Sequence, residues 1–221
     1  MSIALSLGNN LTTGGIFKPT AVNNTSVNNV TDFAGIAGGG TLVLLSTQTA
    51  SSSASLSFTT GIDSTYKEYV FKFINIHPST RNADFQFNMS IDAGSNYNVT
   101  KTTTAFRAFH EESGGSSSLA YQTGDDLAQS TSYQDLSIGG GIQEEDEDSL
   151  SGYLHLFEPS STTFVKHFIS VTNQINAGNN AMNGYIAGYG NTTSAVDAVD
   201  FKMSSGNIDS GVIKMYGVAK S

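Results

Sequence analysis

The chain has 221 residues, which is enough for one all-β domain with a core of its own. Its formal net charge is −9 and its 10 Lys and Arg residues are scattered, which argues against nucleic acid or an anionic membrane as a partner, because both are bound by clustered basic residues. Cysteine is absent, which excludes disulfides, Cys-based metal sites and cysteine nucleophiles.

The first 40 residues predict an extended N-terminal arm. Gly and Asn pairs interrupt this segment and a glycine run closes it at 38–40. Its isolated apolar residues are too few to build a core alone, so we expect them to become ordered against a neighbouring subunit or a larger assembly. These assembly residues are Ile16, Phe17, Val22, Val27, Val30 and Phe33. The alternative is a tail that contacts nothing.

Residues 41–221 predict an all-β domain, a jelly-roll-like two-sheet β-sandwich. Short apolar segments alternate with turns rich in Gly, Ser and Asn, and strong helix formers are scarce. About eleven strands are predicted, at 42–45, 56–58, 66–76, 84–91, 104–109, 133–138, 150–157, 164–172, 183–188, 196–203 and 212–218. Many short strands at this spacing are typical of a sandwich or jelly roll.

Two of these segments carry the clearest patterns. Segment 66–76 is apolar on both faces, with Val70, Ile74 and Ile76 opposite the aromatic face, which predicts a central strand. Segment 84–91 alternates with a period of two. Its predicted inward residues are Phe85, Phe87, Met89 and Ile91, and its predicted outward residues are Gln86, Asn88 and Ser90.

Five consecutive acidic residues form the most conspicuous local feature. They are Glu144, Glu145, Asp146, Glu147 and Asp148. Ca²⁺ takes 6–8 oxygen ligands, so this run is a weak calcium candidate. However, its spacing matches no known calcium loop, and successive side chains of an extended chain point in opposite directions. A solvated surface loop is the alternative, and no other metal site is predicted.

The sequence contains no pattern of catalytic residues. The four histidines lack the short spacing of a zinc motif, and no Gly-x-Ser-x-Gly segment links a strand to a helix. No pair of carboxylates stands out as a glycosidase pair. We therefore expect a protein that is not an enzyme and uses no cofactor.

Tyrosines near turns and Gly-rich segments are candidate ligand-binding residues. They are Tyr97, Tyr121, Tyr133, Tyr153, Tyr185 and Tyr189. A Tyr ring can stack on a sugar and still offer its hydroxyl group. Trp, the preferred ring for stacking on sugars, is missing. The alternative places these tyrosines at sheet rims and subunit contacts.

Several segments resemble virion structural proteins of tailed bacteriophages, including tail-associated proteins of marine and cyanobacterial phages. The similar segments are 58–69, 73–78, 189–195, 201–208 and 211–218, within a module from residue 42 to the C-terminus. The resemblance implies a virion protein, assembled in the host cytoplasm, and it brings no catalytic motif.

The resemblance leaves the place on the particle open. A tail-fibre or adhesin role, with binding to a host surface glycan, is the leading hypothesis. A capsid decoration protein that clamps neighbouring shell subunits is the alternative, and a polysaccharide depolymerase is the second alternative. We expect contacts with other virion proteins through the arm, and a homotrimer, because self-association would cover exposed sheet edges.

Overall fold

The computed structural model describes residues 42–145, 147–176 and 178–219. The predicted arm lies outside the described residues, so its role stays a prediction. The described residues form twelve strands: β1 Leu42–Thr49, β2 Leu56–Phe58, β3 Glu68–Pro78, β4 Phe85–Ser90, β5 Lys101–Glu111, β6 Ser117–Tyr121, β7 Gln134–Asp135, β8 Leu150–Phe157, β9 Lys166–Ile175, β10 Asn180–Gly190, β11 Ala198–Met203 and β12 Ile208–Val218. The predicted all-β class is confirmed. No helix in these ranges is long and apolar enough to span a membrane.

The strands form two antiparallel sheets. The large sheet has eight strands in the order β1-β12-β3-β8-β9-β10-β5-β6, and the small sheet has four in the order β2-β11-β4-β7. The chain passes repeatedly between the sheets. In sequence, each strand of the small sheet has a strand of the large sheet before it and another after it. This is the predicted jelly-roll-like sandwich.

An aromatic cluster fills the centre of the sandwich. Phe201, from β11, lies at its middle and is fully buried. The Phe201 ring packs within 5.3–6.4 Å, between centroids, of five other rings, two edge-on, two stacked and one tilted. These rings are Phe58, Phe71, Phe73, Phe85 and Phe87, and they come from both sheets. The packed rings hold the two sheets together through buried apolar area and through edge-to-face and stacked ring contacts.

Strand β3 is central, as predicted, with β12 and β8 on its two sides. The prediction that Ile76 lies on the face opposite the aromatic residues is wrong, because Ile76 is fully buried in the same core cluster as Phe71 and Phe73. The pairing with β8 shifts between Phe73 and Ile76, and Asn75 has a φ of 50° there. This β-bulge turns the following side chain to the other face of the strand.

Strand β4 departs from its predicted alternation in two ways. Ile91, predicted to point inward, is 43% exposed because β4 ends at Ser90 and the chain turns there. Asn88 and Ser90, predicted to point to solvent, are fully buried. Loops cover them, and Asn88 donates hydrogen bonds to the carbonyl oxygens of Tyr97 and Thr131 in those loops.

Candidate functional site

The exposed side of the large sheet is the candidate site. We call it the outer face and define it as the outward-pointing side chains of β3, β8, β9, β10, β5 and β6, opposite the core. Apart from Glu68 and Lys72, its outward positions carry aromatic, aliphatic and neutral polar residues and histidines. On β3 and β8 they are Glu68, Val70, Lys72, Ile74, Ser151, Tyr153, His155 and Phe157; on β9 and β10, His167, Ile169, Val171, Asn173, Ile175, Ala181, Asn183, Tyr185, Ala187 and Tyr189; on β5 and β6, Thr102, Thr104, Phe106, Ala108, His110, Leu119 and Tyr121.

Strand register places one row of aromatic residues across five strands of the outer face. Tyr121 lies opposite Phe106, which lies opposite Tyr185. Tyr185 lies opposite Val171, and Val171 lies opposite Tyr153. The rings of Phe106 and Tyr185 are stacked, with centroids 4.8 Å apart and planes 6° apart. Neighbouring strands are about 4.8 Å apart, so this row extends nearly 20 Å across the sheet.

A shallow groove of about 480 Å³ lies beside this row. Its side-chain lining comes from Thr102 and Thr104 of β5, Phe157 of β8, His167 and Ile169 of β9, and Tyr189 of β10. The rings of His167 and Tyr189 lie 6.2 Å apart between centroids, with their planes tilted by 60°. The groove therefore combines ring surfaces with hydroxyl and imidazole groups that can form hydrogen bonds.

The outer face has little formal charge. Glu68 and Lys72 are the only carboxylate and ammonium groups among the outward positions named above. Glu68 is hydrogen-bonded to His155 on the neighbouring strand. His155 also packs against Tyr153 and Phe157 along β8. A large, accessible surface of this kind, apolar and nearly uncharged, is typical of a binding site rather than of a solvated sheet.

Four of the six predicted tyrosines lie on the outer face, namely Tyr121, Tyr153, Tyr185 and Tyr189. Tyr97 and Tyr133 do not, because they belong to the loops that cover the small sheet. The Tyr133 hydroxyl donates to Asp200 of β11, at 2.9 Å. Burial and the charge of Asp200 raise the pKa of Tyr133. The structure thus places four of the predicted tyrosines on the outer face and two on the small-sheet side, and their binding of a ligand stays a prediction.

The sequence patterns missed most of the apolar residues of the outer face. Phe106, Phe157 and Ile169 lie in predicted strands, yet a single strand does not reveal which of its faces remains open. Ile169 is 47% exposed and Phe106 is 41% exposed. One sequence signal for this surface was available, because several predicted strands carry bulky residues on both of their faces. These residues indicate a second apolar surface only once the strands are known to be neighbours in one sheet.

The acidic loop lies apart from the outer face, beside Arg81. Asp146 is outside the described residues; the other four carboxylates are described. The Glu144 carboxylate accepts from the Arg81 backbone N–H at 2.9 Å, and Glu145 lies 3.9 Å from the Arg81 guanidinium. Burial and the neighbouring carboxylates of Glu145 and Glu147 raise the pKa of Asp148. Within the described ranges no three His, Asp or Glu side chains are arranged to hold a metal ion, so calcium binding stays a prediction.

A second acidic cluster, which the sequence did not reveal, lies at the edge of the small sheet. Burial raises the pKa of Asp84 to about 7, and the nearby carboxylates of Asp135 and Asp125 add to the shift. Burial also raises the pKa of Asp135, although Gln86 donates a hydrogen bond to it at 2.6 Å. Ionised Asp84 is therefore unfavourable in the folded protein.

We expect Asp84→Asn to stabilise the protein at pH 8 and to have little effect at pH 4. The folded-state pKa of Asp84 is raised, so its contribution to stability is full below about pH 4 and is lost as the pH rises to about 7. Because Asp84 is partly exposed, we expect a gain of about 1–2 kcal/mol at pH 8. Urea unfolding at both pH values measures it.

Asp63→Asn is the matched control for this prediction. Hydrogen bonds from Thr65 lower the pKa of Asp63, so the sign is reversed. The Asp63 variant should lose stability at neutral pH, and this loss should shrink as the pH falls below the ordinary pKa of the group and through its lowered folded-state pKa. Equal effects of both substitutions at pH 8 would contradict the assignment of Asp84.

Comparison of the chain with protein-family models, with curated proteins and with solved structures found no match in any of the three.

Proposed function

We propose that this protein is a non-enzymatic structural protein of a tailed-bacteriophage virion, displayed on the particle as a tail-fibre or adhesin-type component that binds a host surface glycan. The observation that supports it best is the groove on the outer face. There Tyr189 lies opposite Thr102 in the register of β10 and β5, and the Phe157 ring and the Thr104 side chain also line the groove. The apolar face of a sugar packs on an aromatic ring, while its hydroxyl groups need neutral hydrogen-bonding partners.

The charge of the surface favours a neutral glycan over an acidic one. Lys72 is the one ammonium group among the outward positions of the outer face, and the whole chain carries a net charge of −9. A site for an anionic polymer normally contains several Arg or Lys residues, which the outer face lacks. The negative net charge of the protein would repel such a polymer. The proposed ligand is therefore a polysaccharide with few or no acidic sugars.

The same surface argues for binding rather than hydrolysis. A glycosidase uses two carboxyl groups that flank the scissile bond. On the outer face Glu68 stands alone among the outward positions of the described strands, and it is hydrogen-bonded to His155. The depolymerase alternative therefore has no pair of acids at the groove.

Capsid decoration remains the second candidate, and the edge strand β1 favours it. Leu42, Val43 and Leu44 are 37%, 37% and 53% exposed at the start of this strand. They directly follow the predicted arm, so a neighbouring subunit bound by the arm would cover them. Such contacts would also support the proposed homotrimer, in which symmetric association removes exposed edges.

Tyr189→Ala tests the glycan hypothesis. The purified full chain is titrated onto intact host cells or onto their isolated surface polysaccharide. We expect binding about tenfold weaker or worse, because a stacked ring with a hydrogen-bonding hydroxyl is lost from the groove. Tyr133→Phe is the matched control, since it changes a tyrosine of the small-sheet side and should leave binding unchanged.

Two results would contradict this function. Undiminished binding by the Tyr189 variant would remove the groove from the proposal. A copy number in the hundreds per purified virion, measured by quantitative gel analysis, would favour decoration over a tail fibre.

A further inference from the structure

Two lysines of the described chain, Lys101 and Lys166, are fully buried. Buried lysines are rare unless a carboxylate pairs with them. Neither ammonium lies within ion-pair distance of a described carboxylate. The two sites differ in the groups that surround the lysine Nζ in place of a carboxylate.

Lys166 is held by backbone carbonyl groups. Its Nζ donates to the carbonyl oxygens of Ser161 at 2.7 Å, Phe164 at 2.6 Å and Thr192 at 3.3 Å. Three acceptors match the three protons of an ammonium group, so this site suits a charged lysine. Peptide carbonyls of this kind place no reactive side chain next to the nitrogen.

Lys101 has instead a side-chain amide as its closest partner. Its Nζ lies 2.6 Å from Oδ1 of Asn88 and 2.9 Å from the Val99 carbonyl oxygen. Asn88 is itself fully buried. Because Nζ is in hydrogen-bonding contact with the amide oxygen, it is also close to Cγ, the electrophilic carbon of the same amide. Reacting groups held in contact gain a large effective concentration.

The remaining contacts of Asn88 hold and polarise its amide. Oδ1 also accepts from the backbone N–H of Met89, at 2.9 Å. This N–H stays in place when Nζ leaves its hydrogen bond to add to Cγ, and it stabilises the negative charge that then develops on Oδ1. Nδ2 donates to the carbonyl oxygens of Tyr97 at 2.6 Å and Thr131 at 3.0 Å. These two acceptors fix the orientation of the amide and would also hold a departing ammonia molecule.

We propose that Lys101 and Asn88 form an intramolecular isopeptide bond between the two sheets of the sandwich. The Lys101 Nζ, as a neutral amine, adds to Cγ of Asn88 and gives a tetrahedral intermediate with its negative charge on Oδ1. One proton passes from Nζ to Nδ2, the Cγ–Nδ2 bond breaks, and ammonia leaves. The product is a secondary amide, and no oxidant, reductant or other co-reactant is consumed.

Burial supplies the neutral nucleophile. It lowers the pKa of Lys101 to about 7, because a charged ammonium is poorly solvated there. A large fraction of the side chain is then an uncharged amine at neutral pH, as in enzymes that activate lysine by desolvation. Such a site resembles a nucleophile poised beside its electrophile more than a structural ion pair.

Asp200 lies beside Asn88 in the small sheet. It lies directly opposite Asn88 in the register of β11 and β4, and it is 3% exposed. Paired side chains on one face of a sheet stand about 5 Å apart at Cβ. Hydrogen bonds from Ser57 and Tyr133 hold the Asp200 carboxylate on that face. We assign it as a positioning residue that acts through Asn88: its carboxylate, on the same face of the sheet, favours the positive charge on Nδ2 as ammonia leaves.

The intact mass of the full chain tests the bond. After folding and incubation at neutral pH, the denatured wild-type protein should weigh less than its sequence by one ammonia molecule. Proteolysis should release one branched peptide that joins the segments of Asn88 and Lys101. Lys101→Arg should keep the full sequence mass, whereas the matched Lys166→Arg variant should still lose ammonia. Asp200→Asn should slow the mass loss at least several-fold.

The same experiment can overturn the proposal. A wild-type chain at its full sequence mass, folded and incubated, would exclude the bond. Ammonia loss that persists in Lys101→Arg would assign the loss to another asparagine, for example by succinimide formation, and would also exclude it. Mass loss at an unchanged rate in Asp200→Asn would overturn the role assigned to Asp200.

Discussion

Phe201→Ala is expected to lower the free energy of unfolding by about 3–5 kcal/mol, the cost of removing a large aromatic side chain from a packed core. Phe201 is fully buried and its ring contacts five other aromatic rings, from both sheets. The neighbours are themselves held by backbone pairing, so they cannot collapse fully into the cavity. Domains of this size are stable by about 5–15 kcal/mol, so the variant should approach the limit of folding.

Guanidinium unfolding of the wild type and the variant measures this effect. Phe164→Ala is the matched control, because Phe164 is 65% exposed in the loop between β8 and β9. Its substitution should change the free energy of unfolding by about 0.5 kcal/mol or less. Phe201→Leu should lie between the two. A Phe201→Ala midpoint equal to that of Phe164→Ala would show that the aromatic cluster does not hold the sheets together.

The sandwich could be predicted because its determinants are local. The alternation of Phe85, Phe87 and Met89 fixes which side of β4 is inward, whatever strand it pairs with. The two apolar faces of β3 likewise indicated a central strand, and β3 has neighbours on both sides. Each of these features follows from the period of two in a strand, which a single sequence displays directly.

The differences between the predicted and the observed structure arise from contacts between residues that are distant in sequence. Asn88 was predicted to face solvent because a polar residue at an outward position normally does. It is buried because the loops that contain Tyr97 and Thr131 fold over β4. Strand β6 was not predicted at all, since its five residues at the sheet edge carry almost no buried side chains to give a pattern.

The sequence predicted the residue types of the candidate site but only part of their arrangement in the sheet. Tyr185 and Tyr153 were expected to bind a ligand, yet only the register through Val171 brings them into one row. The pairing of Phe106 with Tyr185 likewise depends on β5 being a neighbour of β10. Strand order is set by the whole chain, so the sequence predicts the residue types of a recognition surface more readily than its outline.

Gly211→Ala is expected to cost about 2–4 kcal/mol, although it adds a single methyl group. Gly211 has a φ of 120°, a conformation that residues with a side chain rarely adopt. An added Cβ would lie 2.6 Å from the Asn75 carbonyl oxygen and 2.9 Å from Cα of Ile76. Both atoms belong to the backbone of β3 at its bulge, so relief requires moving the strand itself.

The position of Gly211 explains why this cost would not be absorbed locally. The pairing of β12 with β3 shifts between Ser210 and Val212, opposite the bulge that turns Ile76 into the core. On its other side, the Gly211 carbonyl oxygen accepts from the Ala50 backbone N–H at 2.9 Å. Displacing β3 would therefore disturb the buried Ile76, and displacing β12 would break the contact with Ala50.

Gly124→Ala separates strain at this bulge from a general effect of replacing glycine. No atom lies within 4 Å of a Cβ built at Gly124, so that variant should be within about 0.5 kcal/mol of the wild type in urea unfolding. If Gly211→Ala matches Gly124→Ala, then β3 and β12 yield easily at their bulges. The inward position of Ile76 would then depend on its own burial in the core rather than on the backbone conformation at Gly211.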